Sequence, residues 1–201
     1  MKIIGITGPT GAGKGALCSM LIASGIPCIN ADEVYHQLLT PPSPCLDALV
    51  EHFGADILTD SGCLDRRALA SKVFAPNAEE ERENLNRITH AFVREKMLAM
   101  IDELELSGCS SVCLDVPLLF ESGFDGMCDL TVAVLAEREK RIERIVSRDR
   151  LDRDGAIARA ASQPGDEFYT YRADLTVYNN SDLSDLKEGF EQIVDRLEKL
   201  T

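Results

Sequence analysis

Apolar residues fall along this chain in two rhythms. Short continuous apolar runs are separated by longer stretches in which apolar residues return every three or four positions. The runs at 2–7, 27–30, 111–115, 130–135 and 174–178 predict five strands, short and bounded by turn residues. The helical rhythm predicts a helix from 14 to about 24, closed by Gly25, and another over 32–39, stopped by Pro41, Pro42 and Pro44. Further helices are predicted over 45–53, closed by Gly54, and over 66–74. Residues 77–106 read as one or two amphipathic helices, with Ile88, Phe92, Val93 and Met97 at helical spacing. Helices over 137–149, 153–162 and 184–200 complete the chain, the last carrying Leu186, Phe190, Ile193, Val194 and Leu197. Strands alternating with helices predict an α/β fold with a parallel, doubly wound sheet that binds ligands at the carboxyl ends of its strands. Nothing between 32 and 106 reads as a central strand, so this stretch is expected to be a helical insertion between the second and third strands.

Composition narrows the class. With 201 residues, 45 % of them hydrophobic, the chain suits one α/β unit with modest insertions. A formal net charge of −13 argues against general binding to nucleic acid or to anionic membranes. No apolar run approaches the roughly twenty residues of a membrane span, and none reads as a leader, so a cytoplasmic protein is expected. Cys18, Cys28, Cys45, Cys63, Cys109, Cys113 and Cys128 are odd in number and scattered, which is not a disulfide framework. Cys109-x-x-x-Cys113 lacks a second ligand pair for zinc, and most of the cysteines read as small buried apolar residues. The charge is uneven: over 138–159 basic residues outnumber acidic ones, which suits a small polyphosphate partner or, more plainly, an ion-paired helix.

The candidate chemistry starts directly after the first strand. Gly8-Pro9-Thr10-Gly11-Ala12-Gly13-Lys14 is a glycine-rich turn with a lysine, leading into an apolar helical stretch. Glycines let such a turn present successive backbone N–H groups to phosphate oxygens; the helix adds its positive end, and the lysine a point charge on the β- and γ-phosphates. The position after Lys14, where a phosphate loop usually supplies a hydroxyl to Mg²⁺, holds Gly15, and Ala16 follows. Asp32 lies just past the second strand, where a carboxylate can take the proton of an attacking hydroxyl or merely cap the helix it precedes. Asp115 ends the third strand, the place of the acid that holds Mg²⁺ directly or through water; a cap before Pro117 is the plainer reading. Arg141, Arg144 and Arg148 share one helix face, from which arginines can close over a transferred phosphate.

Taken in order, Asn30-Ala31-Asp32, Asp60-Ser61-Gly62-Cys63-Leu64-Asp65-Arg66, Asp115-Val116-Pro117-Leu118-Leu119-Phe120-Glu121, Arg144-x-x-x-Arg148-Asp149, Arg159-x-x-x-Gln163 and Ala173-Asp174 followed by Asn180 resemble the motifs of the dephospho-CoA kinases. The resemblance runs over about residues 2–181. It implies a P-loop NTPase-type three-layer fold with a five-stranded parallel sheet, a helical substrate-binding insertion and a helical lid. The nucleotide-binding core would be 1–31, 107–136 and 165–201, the insertion 32–106 and the lid 137–164. It further implies ATP-dependent phosphorylation of the ribose 3′-hydroxyl of dephospho-CoA, with ATP and Mg²⁺ required, in a monomer or weak homo-oligomer. By the same carry-over Asp32, Lys14 and Arg148 are catalytic. Gly8, Gly11, Ala12, Gly13, Lys14, Gly15, Ala16, Arg144 and Asn180 bind the nucleotide; Asp32, Arg66, His90, Leu118 and Glu121 bind the acceptor; and Asp115 holds the metal.

The sequence departs from that family at several positions. Gly15-Ala16 replace Ser-Thr, Asn30 replaces an acid, Ala91 replaces the proline after His90, and Phe168-Tyr169 stand where a lysine is usual after Gln163. Adenylate kinases also carry a glycine after the loop lysine, although a threonine follows it there. Two other readings stay open at this point: a P-loop kinase of another small nucleoside or nucleotide acceptor, and a catalytically weak protein that binds ATP or a CoA precursor.

Overall fold

Five strands, β1 (Lys2–Thr7), β2 (Cys28–Asn30), β3 (Ser111–Asp115), β4 (Leu130–Leu135) and β5 (Leu175–Tyr178), form one sheet in the order β2-β3-β1-β4-β5. The structure is a computed structural model and describes residues 1–181 and 183–200. Asp182 and Thr201, inside the stretch expected to complete the core, lie outside the described residues. β1 pairs in parallel with β3 and with β4, and β4 pairs in parallel with β5. All six residues of β4 and the last four of β1 are buried, so these strands are apolar throughout rather than alternating. Register sets Ile6 beside both Asp115 and Val132, so the carboxyl ends of the three central strands share one edge.

The helices are α1 (Lys14–Ala23), α2 (Ala31–Leu38), α3 (Pro44–Phe53), α4 (Arg66–Val73), α5 (Glu79–Leu106), α6 (Arg138–Asp149), α7 (Arg153–Ala161), α8 (Asp166–Thr170) and α9 (Leu183–Lys199). The chain divides into two compact units, Met1–Ile29 with Leu104–Thr201, and Asn30–Glu103. In the first unit, Leu17 and Leu21 of α1 and Leu186, Ile193 and Leu197 of α9 cover one face of the sheet against Ile4, Ile6, Val132 and Val134. Ala133 and Leu135 lie with Tyr169 of α8 in a separate cluster, as the two-residue period of a strand requires. In α6 and α7, Ile142 and Ile145 pack against Ala156 and Ala160. That pairing uses the apolar side of α6 and leaves its arginine face for other partners. The five-residue α8 was not predicted, because a single turn offers no periodicity to read.

The second unit is helical. Leu39, Cys45, Leu49, Phe53, Ile57, Leu69 and Val73 form its core, with Leu85, Ile88 and Phe92 of α5 packed on them. Caps set its boundaries: Asn30 accepts from Glu33 N at 3.0 Å, Ser43 from Leu46 N at 3.3 Å, and Asp65 from Arg67 N at 2.8 Å and Ala68 N at 3.1 Å. α3 starts at Pro44, one residue earlier than predicted, since proline has no N–H to lose in a first turn. Residues 79–106 are one helix, which decides between the one or two expected. Among the described residues no helix is long and apolar enough to cross a membrane.

One side chain ties β5 to β4 at their starts. Asp174 accepts from Thr131 N at 2.8 Å and from Thr131 Oγ1 at 2.6 Å, while Asp174 N donates back to Thr131 Oγ1 at 3.0 Å. Thr131 is buried, so removing its partner strands a buried donor. Asp174→Ala is expected to lower stability by about 1–3 kcal/mol, read as a shift of the urea midpoint at unchanged slope. An unshifted midpoint would show that water replaces the carboxylate.

Candidate phosphate-binding site

β1 feeds directly into the loop Gly8–Lys14, and backbone sterics explain its composition. Gly8, Gly11 and Gly13 take φ of 136°, 77° and 107°, a region that side chains disfavour. A Cβ at Gly11 would stand 2.6 Å from Arg141 O, and one at Gly13 would collide with the Asn179 amide. Gly13 is also the N-cap of α1 and offers no side chain to its N–H groups, and no acid lies in the first turn. The start of α1 is therefore open to an anion. Lys14 Nζ donates to Gly8 O at 2.7 Å, which folds the ammonium back over the loop.

The loop's carbonyl groups are occupied by cations and amides from behind. Arg141 Nε donates to Thr10 O at 3.1 Å, and Arg144 Nη1 donates to Gly11 O at 3.2 Å and Ala12 O at 3.3 Å. Asn179 Nδ2 donates to Ala12 O at 2.7 Å, while Asn179 O accepts from Arg144 Nη2 at 3.1 Å. Gln163 Oε1 accepts from Thr10 N at 2.7 Å. Arg141 is 6 % exposed; burial pulls its pKa down and Asp166, 3.7 Å away, opposes that. Its guanidinium remains charged nonetheless.

Arg148, one turn further along α6, is exposed and donates to Thr10 Oγ1 at 3.1 Å. It also grips Asp149, with Nε and Nη2 at 2.7 and 3.0 Å from the carboxylate, and Arg159 reaches the same carboxylate at 2.8 Å. The adjoining guanidinium of Arg148 holds the Asp149 carboxyl below the usual range. Asp115 ends β3 beside Ile6 and is 8 % exposed, a hard oxygen donor at the carboxyl edge of the sheet. Gly15, one residue into α1, has nothing within 4 Å of where its Cβ would lie, and its backbone is ordinary helix.

The remaining expected residues take the following places. Leu118 and Glu121 follow β3 and are exposed. Burial, joined by the charge of Glu121, pushes the Tyr169 hydroxyl up to about 12. Asn180, expected at the nucleotide, accepts from Glu137 N at 2.7 Å, and its neighbour Asn179 is the one that reaches the loop. Asp32 and His90 are exposed on α2 and α5, and Arg66 Nη2 contacts His36 Nδ1 at 2.9 Å. Asp32 is not the cap of α2, because Asn30 fills that place. Sequence reasoning missed Asn179 and His36. The signal for Asn179 was its position, the first residue past β5 on the ligand edge; His36 carried none. Asp115 offers Mg²⁺ a suitable carboxylate, while position 15 offers no hydroxyl, so the residues fit the ion with one protein ligand fewer than usual.

Comparison with known proteins then gives a consistent result. The model of the family described as dephospho-CoA kinase matches residues 2–185. A dephospho-CoA kinase of Corynebacterium glutamicum is 39 % identical over 194 residues, covering 96 % of each chain. The crystal structure of TT1252 from Thermus thermophilus superposes with a TM-score of 0.83 at 30 % identity, over 100 % of this chain and 98 % of that one. The dephospho-CoA kinase from Campylobacter jejuni shares the fold, with a TM-score of 0.70 at 24 % identity over 99 % and 98 % of the two chains.

The hydrogen bond from Asn179 makes a prediction about the loop. Asn179→Ala removes the buried donor to Ala12 O and is expected to weaken ATP binding by about tenfold, the equivalent of about 1.4 kcal/mol. Calorimetric titration with a non-hydrolysable ATP analogue measures it, and unchanged affinity would mean that the arginines alone shape the loop.

Proposed function

This chain belongs to the dephospho-CoA kinase family, and on that premise we propose how its residues move the γ-phosphoryl group of ATP onto the ribose 3′-hydroxyl of dephospho-CoA, giving coenzyme A and ADP. The observation that carries the reading is the phosphate loop itself, with Lys14 over it and arginines behind it, in a chain matched to that family almost end to end.

The loop N–H groups and the N-terminus of α1 bind the β- and γ-phosphates, and Lys14 exchanges its contact with Gly8 O for phosphate oxygens. Asp32 accepts the proton of the 3′-hydroxyl as its oxygen forms a bond to the γ-phosphorus. The bond from that phosphorus to the β–γ bridging oxygen breaks, and ADP carries the electron pair away. Its exposure, and a cap supplied by Asn30 instead, support this role for Asp32. Arg148 turns from Asp149 to the charge that develops on the transferred group, and Arg144 holds the loop in shape beneath it. Mg²⁺, when bound, would neutralise charge on the phosphates. Asp115 would hold it, directly or through water. Arg66, which contacts His36 within the helical unit, offers a cationic place for the acceptor's phosphates.

The direct experiment follows ADP release with ATP, Mg²⁺ and dephospho-CoA, beside adenosine, AMP and no acceptor. Release that requires dephospho-CoA is expected. Release only with another acceptor would assign the chain to a sister reaction, and ATP binding without release would make it a sensor. Two substitutions refine the mechanism. Asp32→Asn is expected to cut turnover by roughly 10²- to 10⁴-fold, with ATP affinity little changed; near-normal turnover would remove Asp32 from the chemistry. Gly15→Ser, which fits the open space at that position, is expected to lower the Mg²⁺ concentration giving half-maximal rate. An unchanged requirement would show that water and the nucleotide already satisfy the ion.

A further inference from the structure

Three of the seven cysteines, scattered in sequence, meet in space. Cys18 comes from α1, Cys28 from β2 and Cys113 from β3. Their Sγ atoms all lie within 4.8 Å of one another, and those of Cys28 and Cys113 are 3.5 Å apart. Cys113 and Cys18 are 0 % and 5 % exposed, whereas Cys28 is only half-buried and opens the cluster to solvent. Among the described residues no other three His, Cys, Asp or Glu side chains are grouped as possible ligands of one ion.

Packing alone does not require the sulfurs to converge, since small apolar side chains in a core are served equally well by alkyl neighbours. A metal–sulfur bond of about 2.3 Å puts two sulfurs of one site about 3.8–4.0 Å apart, tetrahedral or trigonal. The 3.5 Å between Cys28 and Cys113 and the 4.8 Å limit on the other separations both lie within about 1 Å of that value, so small side-chain shifts would seat an ion. A disulfide between Cys28 and Cys113 needs the sulfurs to close from 3.5 Å to about 2 Å, a larger movement. Charge selects among soft ions. Three thiolates around a divalent ion leave a net charge of −1, but around a monovalent ion −2, and burying the greater charge costs more.

We propose that Cys18, Cys28 and Cys113 form a binding site for a divalent thiophilic cation of the Zn²⁺ and Cd²⁺ class, held by three sulfurs under α1 with its fourth position left to water. The site is separate in chemistry from the nucleotide's metal, because Mg²⁺ takes oxygen donors and leaves thiolates alone. Binding links α1, which begins at Lys14, to the two strands that lead to Asp32 and end at Asp115. The ion therefore braces the frame of the phosphate loop from below and stabilises the folded chain by mass action.

The test uses the full, reduced chain equilibrated with Cd²⁺ and desalted against a weak chelator. About one equivalent is expected to remain, with a sulfur-to-cadmium charge-transfer absorption, and Zn²⁺ is expected to raise the melting temperature. Cys28→Ser, at the half-buried position, is expected to weaken retention by more than about tenfold and abolish that rise. Cys63→Ser, at an exposed thiol, is expected to change neither. Since a serine variant could fail to fold, anomalous scattering from Cd²⁺ in crystals of the unaltered chain locates the ion independently. No retained metal, retention unaffected by Cys28→Ser, or an anomalous peak away from the three sulfurs would each overturn the proposal.

Discussion

A peptide unit points its N–H and its C=O in opposite directions, and the phosphate loop depends on that fact. Thr10, Gly11 and Ala12 have their carbonyl oxygens engaged from behind by Arg141, Arg144 and Asn179. With Thr10 O and Ala12 O committed there, the Gly11 and Gly13 amides of the same units are directed to the other face, where an anion can collect them, while Ala12 N donates within the loop to Pro9 O at 3.2 Å. The cations do a second service. They place positive charge directly against the loop, in a protein whose formal net charge is −13. Without that local positive field, an acidic surface would repel the nucleotide it must bind.

The arrangement also explains why the arginine helix has two unlike sides. Ile142 and Ile145 fix α6 to α7 through apolar burial, which is indifferent to direction around the helix axis beyond the stripe itself. The opposite stripe is then available at the spacing that brings Arg141, Arg144 and Arg148 into one row. Packing sets the row in place, and hydrogen bonds to the loop set its register.

Much of this was legible in the amino-acid sequence because it rests on local patterns. Two-sided burial wrote itself into continuous apolar strands, glycine at 8, 11 and 13 reported a backbone that other residues avoid, and the prolines after Thr40 marked the end of α2. The strand order β2-β3-β1-β4-β5 and the contacts of Asn179 were not legible. Both arise from pairings between residues far apart in the chain, and a polar residue after a strand looks the same whether it caps a turn or reaches a loop. The choice between Asn179 and Asn180 shows the limit: adjacent and chemically identical, they point to different partners, Ala12 O and Glu137 N. The thiol cluster is another case, since residues 18, 28 and 113 share no spacing.

The pairing of Arg148 with Asp149 bears on how sharply this protein can tell an occupied site from an empty one. A guanidinium that waits in water is released to phosphate at the full strength of the new contact. One that already has a carboxylate partner, itself shared with Arg159, gains only the difference between two similar anions. In the role proposed for Arg148, the response is an exchange of partners rather than a capture: phosphate replaces Asp149, and Asp149 keeps Arg159. The carboxylate thereby lowers the net gain from any anion that takes Arg148, phosphate included.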